Sequence, residues 1–166
     1  MEFVFRPSLG RIASLGAPHE IVAMYAALHG PNAAKEAAYV LACLCDKDDA
    51  TPLIGWVDGD GRHPGQMPDA EQIIIAQHLM RHGMVGKAKP STGGGQYSDK
   101  FDAAEYVAAA RVHLGLSSAD AEALSMTEFQ TMFEMKFPQQ GDKARDVPSR
   151  EQYDAAMKAI KERKRG

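Results

Sequence analysis

Apolar residues recur along most of the chain at the three-and-four spacing of an amphipathic helix, and Gly and Pro punctuate the runs. At the start, Phe3 and Phe5 alternate with polar neighbours around Val4, which allows a short strand over 2–6. Pro7 then opens a short helix from Ser8 to Leu15, ended by Gly16. Pro18 suits a first helical turn, and Ile21, Met24, Tyr25 and Leu28 follow on one face up to Gly30. The next run, from Pro31 through Ala37, Leu41 and Leu44 to Cys45, is apolar around most of its circumference and predicts a central buried helix.

Asp46 to Asp49 marks a solvated loop. Leu53 to Val57 reads as a strand, and Asp58-Gly59-Asp60-Gly61 as the turn of a small hairpin near 53–62. Asp69 to His82 predicts a helix with Ile73, Ala76, Leu79 and Met80 in one stripe, widened by Ile74 and Ile75 and capped by Gly83. The stretch 88–100 holds Pro90, Ser91, Thr92 and three consecutive glycines, the composition of a flexible loop or linker. Phe101 to His113 predicts an amphipathic helix ended by Gly115, and Ser118 caps a short one closing near Leu124. Ser125 followed by Glu128 fits a capping box, opening a helix that stops before Pro138. Ser149 and Gln152 form a second such box, opening a last helix to about Arg163. The expected fold is mainly α: about seven helices with a minor β-hairpin, organised as helical regions 1–87 and 101–166 in one domain or two.

With 166 residues the chain suits one domain, or one with a small appended unit, and 45% hydrophobic with 25% charged residues argues against wholesale disorder. The longest apolar run, Ala37 to Cys45, spans nine residues, against about 20 for a bilayer span. No membrane association is expected. The first residues do not read as a signal peptide, and Cys43 and Cys45 lie two apart on a helix, where they do not bridge. A reducing cytoplasm and no export are the expectation.

The net charge of −3 gives no overall basic excess for nucleic acid, so nucleic-acid binding is not expected. The charge is nonetheless segregated. Residues 143–166 carry eight basic and four acidic side chains, and the remainder eleven and eighteen. Lys158, Lys161, Arg163, Lys164 and Arg165 end the last predicted helix. They either oppose its dipole or form an arm contacting an acidic partner.

Signs of chemistry are sparse. His78 and His82 have the spacing of a metal-sharing pair, but Leu79 stands where a zinc-protease helix needs Glu, and both read as solvent-exposed. Asp58 to Gly61 lacks the further oxygen ligands of a calcium loop. Gly83-Met84-Val85-Gly86-Lys87 has the wrong spacing for a phosphate loop. There is no Gly-x-Ser-x-Gly elbow. No catalytic residue, metal ligand or cofactor site is assigned, and the chain is not expected to be an enzyme.

The helix from Ser125 stands out. Met126, Phe129, Phe133 and Phe137 form one stripe, while Met132 and Met135 fall outside it. Either the whole set is core, or part of it receives an apolar partner segment, a role suited to flexible thioethers.

The stretch Leu114-Gly115-Leu116-Ser117 with Ala123-Leu124-Ser125-Met126-Thr127-Glu128-Phe129 resembles the C-terminal helical module of tail assembly chaperones of lambda-like tailed phages. The run from Phe5-Arg6-Pro7-Ser8-Leu9 to Ile21-Val22-Ala23-Met24-Tyr25-Ala26-Ala27-Leu28-His29-Gly30 is similar to siphophage tail-gene products. This resemblance implies a non-enzymatic protein of the host cytoplasm. Such a protein binds the tape measure protein, keeps it soluble, helps the tail tube protein assemble around it, and is absent from the finished virion. It also implies a longer, frameshifted form that recruits the tube subunit. Met126, Phe129, Met132, Phe133 and Met135 are then the expected partner surface, and self-association is a further expected contact.

Two other readings stay open. One is a structural head–tail connector or adaptor of a phage particle. The other is a helix-turn-helix regulator built on Ser118 to Phe137. Its recognition helix would offer Thr127, Glu128, Gln130 and Thr131 but no Arg.

Overall fold

A computed structural model describes residues 2–87, 98–138 and Lys158. The chain divides into a compact unit ending at Lys136 and a second unit, Phe137–Gly166. The last predicted helix, the 88–97 loop and the basic residues Lys161, Arg163, Lys164 and Arg165 lie outside the described residues. Lys158 is helical and exposed.

The first unit is mainly α. Its helices are α1 (Leu9–Ala13), α2 (Pro18–Ala27), α3 (Ala33–Leu44), α4 (Thr51–Ile54), α5 (Asp69–Met80), α6 (Ala103–Leu114), α7 (Ser118–Ala123) and α8 (Met126–Lys136). A π-helical turn, Arg81–Val85, extends α5. Among the described residues the sheet is one antiparallel hairpin, β1 (Trp56–Asp58) and β2 (Gly61–His63). Helices α3 and α5 pack along each other, with α2 and α4 on α3. Helix α6 gathers α7 and α8. The short α1 touches α3, α6, α7 and the π turn, so it sits where these two groups meet. Leu9 and Ile12 on α1 are fully buried, with Leu41 and Leu44 of α3, Met80 of α5, Ala110 of α6 and Met126 of α8 in the same core.

Several expected boundaries move, some for a local reason and some through distant contacts. The strand expected over 53–57 is a helical turn up to Ile54, and the hairpin begins at Trp56. Asp49 accepts from both the backbone N–H and the hydroxyl of Thr51, starting that turn, and Gly55, with φ +83, ends it. Instead of a strand over 2–6 there is a single bridge, Phe5 with Cys45, flanked by Arg6 N–H to Leu44 O. Ser117, not Ser118, caps α7, its hydroxyl accepting from Asp120 N–H. Gly83 does not stop α5. It lies inside the π turn, where a Cβ would stand 2.7 Å from Ile12 Cδ1. The stop is Gly86, at φ +68.

Helix α3 is buried on one side only. Ala37, Val40, Leu41 and Leu44 face the core, while Lys35, Tyr39 and Ala42 are exposed. Arg11 Nη1 donates to the carbonyls of Cys43 and Cys45 at 3.3 and 2.5 Å, satisfying acceptors at the α3 C-terminus. Both cysteines are free thiols. Cys45 is buried and Cys43 half-buried. On α5 the buried line is Gln72, Ala76 and Met80, and Ile74 is 64% exposed. The buried Gln72 amide donates to Ile54 O at 3.0 Å and Met67 O at 2.9 Å, which closes the loop that carries the hairpin onto α5.

Candidate functional site

Helix α8 begins where the sequence places it. Ser125 N–H donates to the Glu128 carboxylate at 2.8 Å and Glu128 N–H to the Ser125 hydroxyl at 3.2 Å, the reciprocal pair of a capping box. Two different sets of contacts then hold the helix. On one side Met126 and Phe129 enter the core, and Phe133 packs half-buried against it. A run of rings joins this side to α6. Phe101 stacks on Tyr106 at 5.4 Å, Tyr106 meets Phe129 at 5.6 Å, Phe129 lies 5.7 Å from Phe133, and Phe133 meets His113 at 5.9 Å.

The other set is polar and reaches the π turn. His82 Nδ1 lies 2.9 Å from the Thr127 hydroxyl. Gln130 accepts from Lys87 N–H at 2.6 Å and donates to Val85 O at 3.3 Å. Lys87 Nζ pairs with Glu134 at 3.4 Å. All four side chains that a DNA-reading helix would offer thus make hydrogen bonds within the protein: Thr127 and Gln130 with the π turn, Glu128 with Ser125 N–H, and Thr131 with Thr127 O.

The five residues expected to bind a partner are thus divided by their surroundings. Met126 is 1% and Phe129 8% exposed, so both serve the core. Phe133 is half-buried between α6 and the solvent edge. Met132 is 36% and Met135 78% exposed. On the wheel Met132 sits about 100° from the buried stripe and Met135 nearly opposite it. Their spacing of three makes them neighbours on the outer surface. Helix α6 presents Val112, 77% exposed, away from its own buried face. Both α6 and α8 therefore carry large apolar side chains that stand in solvent.

The sequence reading missed a second apolar feature. Tyr25 and His29 at the end of α2 and Ile74, Ile75 and His78 on α5 line a groove of about 490 Å³. Its signal was the run Ile73-Ile74-Ile75, because three consecutive helical positions cannot all face one core. His78 is exposed and contacts His82 edge-on at 4.5 Å, but His82 is half-buried and tied to Thr127, so the two are not both free in solvent. Among the described residues no three His, Cys, Asp or Glu side chains converge as a metal site. Nor is any helix there long and apolar enough to cross a membrane.

No curated protein and no solved structure matches the chain. One family profile does, described as a family of unknown function, DUF6246, and it covers residues 29–155. That span takes in most of the chain, including α3, the hairpin, α5 and all of α8, and the protein belongs to the DUF6246 family.

Proposed function

We propose that this protein is a tail assembly chaperone of the kind found in lambda-like tailed phages. In this reading it binds the tape measure protein in the host cytoplasm, keeps it soluble and promotes tail tube assembly around it, leaving before the tail is complete. The observation that carries the reading is the exposure of Met132 and Met135 on a helix held firmly by its other two sides. A tape measure is a long chain with apolar helical stretches that aggregate when uncovered. A rigidly seated helix offering flexible thioethers can cover such stretches reversibly without a fixed shape match. The exposed Val112 on α6 adds to the apolar surface on that helical group.

Co-expression with the cognate tape measure protein tests this. The expected result is that the native chain keeps the tape measure in the soluble fraction and that Met132→Asp with Met135→Asp does not. Unchanged solubility, with the doubly substituted chain still folded, overturns the assignment of the surface. Recovery of the protein from purified virions favours the connector reading instead.

A further inference from the structure

Helix α5 has two unlike sides. Gln72, Ala76 and Met80 are buried along one of them. On the wheel the opposite side carries Glu71, Ile74 and His78, with Arg81 one residue past the helix, all within an arc of about 80°. Glu71, His78 and Arg81 are exposed, and Ile74 is 64% exposed. Charge runs one way along this side: a carboxylate at the start, an apolar middle, and an imidazole and a guanidinium at the end. Among the described residues neither Glu71 nor Arg81 has an ion-pair partner. The same side opens into the groove between α5 and the end of α2, whose lining includes His29, His78 and Arg81 and no carboxylate. The groove is held open by the fold. Gln77 Nε2 donates to Leu28 O at 2.8 Å, tying α5 to the end of α2, and Tyr25 meets His29 edge-on at 5.3 Å.

We propose that this side of α5 is a contact between two copies of the chain, their α5 helices lying antiparallel about a two-fold axis. A strip that is acidic at one end, basic at the other and apolar between matches itself when turned end for end. A two-fold axis beside the middle of the helix sets Glu71 of each copy against the His78–Arg81 end of the other and brings the two Ile74 side chains to the centre. Every contact is then made twice, as an isologous interface requires. Parallel pairing would instead set carboxylate against carboxylate and cation against cation. The apolar centre supplies the driving force, and the ion pairs at its rim fix the direction of the helices. A single helix pair buries less than the roughly 1,600 Å² of a standard interface, so this dimer is weak and forms with concentration. It lies on a different helix from Met132 and Met135 and does not depend on what the α8 surface binds.

Sedimentation equilibrium of the full chain from micromolar to millimolar concentration is the experiment. The native chain is expected to pass from one copy towards two. Ile74→Gln should weaken the association at least about tenfold, since each dimer loses the side chain twice. Glu71→Arg should weaken it by a similar factor, because it sets cation against cation, and Glu71→Arg combined with Arg81→Glu should bring the association back. The three side chains are exposed, so far-UV circular dichroism should match the native chain in every variant. A native chain that stays monomeric throughout leaves the groove to a different protein and overturns the proposal. A dimer that Ile74→Gln and Glu71→Arg leave unchanged places the contact on another face and also overturns it, as does a folded charge-exchanged chain that remains as weak as Glu71→Arg.

Discussion

The Nδ1 atom of His82 lies 2.9 Å from the hydroxyl of Thr127, and this pair fastens the π turn after α5 to the first turn of α8. The hydroxyl also lies 3.5 Å from His82 O, towards which it can donate. With the ring N–H donating to it in turn, both groups are used. Thr127→Val keeps the shape and deletes the contact. It is expected to cost about 1 kcal/mol in a urea unfolding series, with no loss of helix content.

Gln72 gives a sharper case. Its amide is fully buried and serves Ile54 O and Met67 O together. Gln72→Leu fits a hydrophobic stripe by sequence and still leaves two carbonyls without a donor. We expect a loss of about 1–3 kcal/mol. Ile74→Gln, two positions on but exposed, should change stability by less than about 0.5 kcal/mol. Denaturant midpoints of the two variants compare them directly, and the ranking is the reverse of what residue hydrophobicity alone suggests.

Gly83 lets α1 approach the π turn, since an added Cβ would press on the fully buried Ile12. Gly83→Val should cost about 1–3 kcal/mol by overpacking. Gly86→Ala is strained for a different reason, because its backbone is left-handed and its Cβ would meet the Gln130 amide. Ile12→Ala is itself costly, about 2–5 kcal/mol at this enclosed site, so the readout is coupling: combined with Gly83→Val it should cost less than the sum of the two single losses, and combined with Gly86→Ala it should cost the full sum, which thermal unfolding of the single and double variants can show.

These two sites mark where the sequence could be read and where it could not. Capping signals fix α8 and the end of α6 well, because Ser125, Glu128 and Gly115 act on their own neighbours, whereas the expected start of α6 at Phe101 moves to Ala103, behind the Asp102 cap. The function of Gly83 depends on Ile12, 71 positions earlier, and no local pattern contains that information. Gln72 looks like a polar break in an apolar helix until the carbonyls of Ile54 and Met67 arrive from the loop before it. The α8 stripe was legible as a stripe, and the outward placement of Met132 and Met135 followed from the same periodicity. Which methionines a partner could reach needed the packing of α6 and the π turn.

Two carboxyls give stability a definite pH slope. The Thr51 hydroxyl and amide hold Asp49 below the ordinary carboxylate range, and the His63 imidazole and Asp60 amide do the same for Asp58. A carboxyl depressed in the folded state binds fewer protons there than in the unfolded chain. Its contribution is present above the unfolded value, near pH 4, and is lost as pH falls further. Urea midpoints measured from pH 7 to pH 3 should drop towards acid, and Asp49→Asn should flatten that drop. An unchanged slope in the variant would show that the Thr51 contacts do not persist in solution.

The division within α8 separates side chains that the fold encloses from those it leaves in solvent. Met126→Ala should cost about 2–5 kcal/mol, because the side chain is enclosed, whereas Met135→Ala should be close to neutral. Calorimetry on both variants checks the pair.

The family match begins at His29, after α1 and α2. Yet Leu9 and Ile12 lie at the centre of the core, and α1 touches α3, α6, α7 and the π turn. An expression piece trimmed to the matched span would therefore lose a keystone from the middle of the arch, and the remaining helices would face water across the gap it leaves.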